Sequence, residues 1–177
     1  MKKQINLNIE DIIKEILCAI KNKLYVVALS SALVLPNYCI NLGKSKTRQG
    51  KQVGERYKEW CDNYLATFLP KFTFSNLFGS WGEFIFKLRC SIDHNFENDI
   101  IETDYKYISL EKFDLFIDDS KDYLMEYPLE LETERCSGFI NQNKKQNVRI
   151  KINVIYLVNV LCSGASLFLN EYNKNNF

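Results

Sequence analysis

Ser80-Trp81-Gly82-Glu83-Phe84-Ile85-Phe86-Lys87-Leu88-Arg89-Cys90-Ser91-Ile92-Asp93-His94 reads as one helix with its start written into it. Ser80 and Glu83 form a Ser-x-x-Glu capping box, whose two side chains take up backbone N–H groups that a first helical turn leaves open. Phe84, Ile85, Leu88 and Ile92 then recur at helical spacing, which predicts one buried stripe. The same stretch holds the only histidine of the chain, His94, five residues after Arg89.

Upstream, Ile9, Ile12, Ile13, Ile16, Leu17 and Ile20 repeat the helical period, with Asn8 in N-cap position. Lys23 to Leu35 is apolar nearly all round, which predicts a central, buried helix that ends before Pro36. Gly43 to Gly54 is polar and reads as an exposed loop. Val53, Tyr57, Trp60, Cys61, Tyr64 and Leu65 predict a further amphipathic helix that stops near Pro70, with Tyr57 and Trp60 buried. Downstream, Val148, Ile150 and Ile152 alternate with Arg149 and Lys151, as do Phe113, Leu115 and Ile117 with their neighbours. Asn143 to Asn147 suggests a turn from a strand near Ser137 to Asn141. Asn153 is placed to cap a last helix, roughly Val154 to Tyr172. The expected fold is therefore mainly α: a single-domain helical bundle over 1–177, with a small antiparallel β element in an acidic, partly β insertion at 97–152.

The 177 residues are enough for one domain with a real core, and 46% hydrophobic and 25% charged residues are ordinary globular values. No apolar signal core follows Met1-Lys2-Lys3-Gln4, so a soluble, cytoplasmic protein without a membrane span is expected. Leu24 to Leu35 is short for a span, and Val154 to Leu169 falls below the usual ~20 residues. The six cysteines have wide, irregular spacings and no C-x-x-C pair, so reduced thiols are expected rather than disulfides or zinc. The net charge of +1 names no partner, but its distribution is uneven. Lys44, Lys46, Arg48, Lys51, Arg56 and Lys58 face one acidic residue, Glu55, across Lys44 to Lys58. Between Glu97 and Glu134 the balance is acidic. A solvated face explains either run; the basic one is also a candidate phosphate or RNA contact, through Lys44, Lys46, Arg48 and Lys51.

Two motif matches fail on their own chemistry. Gly43-Lys44-Ser45 ends like a phosphate-binding loop, yet Tyr38 stands where that loop needs its first glycine. Asp114, Asp118, Asp119 and Asp122 lack the glycine and terminal glutamate of a calcium loop. No cofactor or metal is called for by any other pattern.

Leu88-Arg89-Cys90-Ser91-Ile92-Asp93-His94, an Arg-x4-His motif on a later helix of an all-α bundle, resembles the HEPN superfamily (higher eukaryotes and prokaryotes nucleotide-binding domains). With Gly54-Glu55-Arg56-Tyr57 and Trp60 upstream, the text is similar to a group of uncharacterised bacterial proteins. The resemblance covers roughly Leu24 to His94, with the final helix a candidate member, and leaves the middle third unmatched. It implies a metal-independent endoribonuclease, of the kind that serves as a toxin or antiphage-defence effector. Arg89 would then hold the scissile phosphate and His94 would move the proton. The chemistry is sound without a metal, because RNA carries its own nucleophile in the 2′-hydroxyl. An imidazole titrates near neutrality, and a planar guanidinium grips a phosphate on two prongs. Residues five apart on a helix lie about 140° apart, so the pair does not share one face. The resemblance implies a homodimer in which both motifs meet in one cleft, with RNA as substrate and a regulatory protein as a further expected partner. The alternative is a non-catalytic HEPN-like dimer that binds a partner protein or nucleotide. Cys90 bears on that choice, since catalytic relatives often carry Asn, Asp or His after the arginine.

Overall fold

The computed structural model describes residues 8–43, 52–70, 78–93, 108–118, 125–126 and 146–176. It is mostly helical, with a small sheet. Among the described residues the helices are α1 (Ile9–Lys21), α2 (Tyr25–Ala32), α3 (Leu35–Leu42), α4 (Val53–Leu65), α5 (Trp81–Asp93) and α6 (Val154–Asn176). Three strands, β1 (Ile108–Phe116), β2 (Met125–Glu126) and β3 (Gln146–Asn153), lie between α5 and α6 in the chain.

α1 starts where the Asn8 side chain accepts from the Asp11 N–H at 2.8 Å. It buries Ile9, Ile13 and Ile16, as the spacing predicts. Its end is a Schellman turn: the Lys23 N–H reaches the Ile20 carbonyl and the Leu24 N–H reaches the Ala19 carbonyl. That turn sets Lys23 at φ 60, a left-handed position usually given to glycine.

Two expectations about the next segment are corrected. Pro36 does not end the helical text; it stands in the first turn of α3, where a missing N–H costs nothing because no partner awaits it. Nor is the apolar run buried all round. Ala28, Leu29 and Ala32 are buried, but Leu24, Val26 and Val27 are exposed, Val26 by 71%. The run is two short helices joined at Leu33 and Val34, and only one face of it meets the rest of the bundle.

α4 and α6 supply the heart of the core. Tyr57 and Trp60 are both buried, as expected. Trp60 stacks on Tyr64 with ring centroids 5.2 Å apart, and Phe168 of α6 packs edge-on to Tyr64 at 5.4 Å. Gly164 lets α6 approach here, since a Cβ would strike Leu65 and stand 3.2 Å from the Tyr64 carbonyl. Two apolar stretches, Tyr25–Leu42 and Val154–Asn176, are long and apolar enough to cross a membrane by length and composition alone. The second is the central core helix of this fold, with Leu157, Val158, Leu161 and Ala165 buried.

The sheet is also corrected. β1 and β3 run parallel, from Ile108 opposite Gln146 to Phe116 opposite Asn153, with a bulge between Leu110 and Lys112. Only the two-residue β2 is antiparallel, on the other side of β3. Alternation reports that a strand is half-buried, not which way its neighbour runs. The chain from Phe116 to Gln146 is also long enough for the crossover that a parallel pair needs. Ile150 and Ile152 are fully buried, as the alternation predicts. The expected partner strand at Ser137 to Asn141 lies outside the described residues, and β3 already begins within its expected turn. Asn153, buried at the junction of β3 and α6, donates from its amide to the Asp118 carbonyl at 2.8 Å.

Of the six cysteines, Cys18, Cys39, Cys61, Cys90 and Cys162 are free thiols; Cys136 lies outside the described residues. Burial pushes Cys39 and Cys162 up to about 12 and Cys61 well above its ordinary value. These three therefore stay protonated, and inert as nucleophiles, near neutral pH.

Candidate functional site

The arginine of the Arg-x4-His motif is placed by the packing of α5 against α4. The two helices run antiparallel, and two glycines set their separation. At Gly82 a Cβ would overlap the Lys58 carbonyl, so only glycine allows this approach. The Gly82 N–H donates to Asp62 Oδ1 at 2.7 Å, tying the first turn of α5 to α4. At the other end a Cβ on Gly54 would stand 3.0 Å from the Phe86 ring.

The capping box closes the start of α5. Ser80 Oγ accepts from the Glu83 N–H at 3.2 Å, and Glu83 Oε2 accepts from the Gly79 N–H at 2.7 Å. Lys87 pairs with Glu83 at 3.3 Å, one turn on. Burial alone would raise the Glu83 carboxyl, but the Gly79 N–H and Lys87 outweigh it and hold the group below its ordinary value. A carboxyl depressed on folding stabilises the fold fully above its ordinary value of 4.5, and that stability is lost as pH falls through the lower folded value. Urea unfolding of Glu83→Gln is therefore expected to show a shallower loss of stability below that pH than the parent. A parallel acid limb in both proteins would count against the cap.

Arg89 lies half-buried near the other end of α5. Its Cζ sits 5.1 Å from the centroid of the Tyr57 ring, within reach of a cation–π attraction. Tyr57 is itself locked, because its hydroxyl donates to the Leu33 carbonyl at 2.8 Å. Asn37 of α3, with its amide oxygen turned to the guanidinium, accepts from Nη1 at 2.8 Å and from Nη2 at 3.2 Å. Asn37 is neutral, so this contact orients the guanidinium without cancelling its charge. The positive charge is felt by the Cys61 thiol of α4 as well, though burial dominates there. Beside this group, Lys58 stands 5.5 Å over the Phe86 ring, and Phe86 meets Tyr57 at 5.7 Å.

Arg89 is the one member of the predicted site among the described residues. His94, Lys44, Lys46, Arg48 and Lys51 all lie outside them. His94 follows Asp93, the last residue of α5, directly; Lys51 precedes Gln52, the N-cap of α4, directly. Since α4 and α5 are antiparallel, the end of α5 and the beginning of α4 lie at the same end of the pair. Among the described residues, no three His, Cys, Asp or Glu side chains stand together as a metal site.

Sequence reasoning missed Asn37 as a partner of Arg89 and took Tyr57 for core alone. Asn37 had a weak signal in the text, a polar residue just after Pro36 on an apolar run. Nothing local joined it to a residue so far along the chain. Comparison with protein-family models, with curated proteins and with solved structures finds no match.

Proposed function

We propose that this chain is a metal-independent endoribonuclease of HEPN type, acting as a homodimer. The observation that carries the reading is the Arg89 guanidinium, held by Asn37 and Tyr57 on a helix that leads, five residues later, to the single histidine. A guanidinium already held by its neighbours is suited to a phosphate and its developing charge. Lys51 directly precedes Gln52, the N-cap of α4, and this adjacency supports a backbone-tracking role for Lys44, Lys46, Arg48 and Lys51. The second copy is asked for by the roughly 140° between residues five apart. Val26 and Val27 of α2, and Tyr38 and Leu42 of α3, the helix that carries Asn37, are exposed apolar side chains that a second copy could cover.

Purified protein incubated with RNA in excess EDTA is expected to cleave it, leaving 2′,3′-cyclic phosphate ends. The matching all-deoxy strand should survive, since it lacks the nucleophile. Cleavage of the deoxy strand, or cleavage abolished by chelator, would overturn the mechanism. A monomer by light scattering at micromolar concentration, still fully active, would overturn the composite site.

A further inference from the structure

We propose that Asn37 is a positioning residue for this reaction, acting through Arg89; the inference rests on the ribonuclease reading above. The helix carrying Arg89 and the segment carrying Asn37 are far apart in sequence, and three contacts converge on one guanidinium. Asn37 Oδ1 takes one N–H from each Nη, at 2.8 and 3.2 Å, which fixes the rotation of the guanidinium in its own plane. The Tyr57 ring, its centroid 5.1 Å from Cζ, holds the charge from another side. The Tyr57 hydroxyl is anchored on the Leu33 carbonyl, so its ring cannot swing away.

Leu33 and Asn37 are four residues apart, on either side of the junction between α2 and α3. Asn37, and the Leu33 carbonyl that anchors Tyr57, therefore come from one short piece of chain. Pro36 stiffens that piece, because its ring fixes the backbone in the first turn of α3. A long, flexible arginine loses much rotamer freedom when it grips a phosphate. An arginine oriented beforehand has already lost that freedom, and a neutral acceptor takes none of its charge. A carboxylate at the same position would give the same orientation but spend the charge on itself. An amide at position 37 orients the guanidinium without adding a negative charge beside it, as a carboxylate would.

The test uses three variants of the full chain, Asn37→Ala, Asn37→Asp and Arg89→Ala, with the double variant Asn37→Ala/Arg89→Ala. All are assayed on one RNA in EDTA and by thermal unfolding. Asn37→Ala is expected to lower kcat roughly 10-fold or more, the scale of a misplaced catalytic group, with KM changed far less. Asn37→Asp should unfold at or above the parent's temperature yet lose at least as much activity, a split that a structural role does not produce. In the Arg89→Ala background, Asn37→Ala should add nothing, because the two act as a unit. An active parent with unchanged kcat in Asn37→Ala, a fully active Asn37→Asp, or additive losses in the double variant would each overturn the proposal while leaving the ribonuclease reading intact. A parent inactive on RNA strikes the ribonuclease reading itself and takes this inference with it.

Discussion

His94→Ala is expected to lower RNA cleavage by roughly 10²-fold or more, the usual scale for a lost general acid–base group. The reasoning begins with supply. The chain has one histidine, so it has one side chain whose ordinary titration falls near neutral pH. The buried thiols of Cys39, Cys61 and Cys162 are held protonated and offer no substitute. Arg89→Ala should cause a comparable loss. Arg89→Lys should recover only part of it, since an ammonium cannot make the two-pronged contact. The thermal unfolding of His94→Ala should match the parent. Equal background-level cleavage by parent and variant in chelator would sink the enzyme reading and favour a non-catalytic, partner-binding dimer. Loss of folding in His94→Ala would point to a structural histidine instead.

How far the sequence carried this depended on whether the signal was local. The capping box of Ser80 and Glu83 is a four-residue pattern; Ser80 takes the Glu83 N–H as expected, while the Glu83 carboxylate reaches one residue further back, to the Gly79 N–H. The stripes of α1 and α4 are equally local, and Tyr57 and Trp60 are buried where their spacing put them. Pro36 is ambiguous as text, because a proline can end one helix or open the first turn of the next. The direction of β1 against β3 is not written in the alternation, because a period of two contains no direction. Exposure of Val26 and Val27 could not be read from a run that is apolar on every side; what covers such a run is decided by elements elsewhere. The same holds for the candidate site. Arg89 was visible as half of a motif, but its partner Asn37 belongs to another helix, and only packing brings the two together. Gly82 makes the point from the other side: as a letter it looks like a weak spot in α5, and in the fold it is the place where α5 touches the α4 backbone.

Trp60→Ala is expected to cost roughly 3–5 kcal/mol of stability, the range for removing a large aromatic side chain from a core. Trp60 is only 5% exposed, and its ring lies between two helices. Tyr64 stacks on it from one turn along α4, at 5.2 Å, and Phe168 leans on it from α6 at 6.5 Å. Its far edge is where a Cβ on Gly164 would stand, 3.5 Å away, so ring and glycine together define how closely α4 and α6 approach. Truncation leaves a void that neither neighbour fills easily. Tyr64 would have to give up its edge-to-face contact with Phe168, and α6 is held at Gly164 by Leu65 and the Tyr64 carbonyl. The cost should therefore sit toward the cavity-retaining end of the range rather than the collapsed end. Val53→Ala, at an exposed site in the first turn of the same helix, serves as the control and should shift stability by no more than about 0.5 kcal/mol. Urea unfolding checks both: the Trp60→Ala midpoint should fall sharply with the slope nearly unchanged. A Trp60→Ala midpoint within error of the Val53→Ala midpoint would mean that α4 and α6 do not meet through this ring, and the core described above would have to be redrawn.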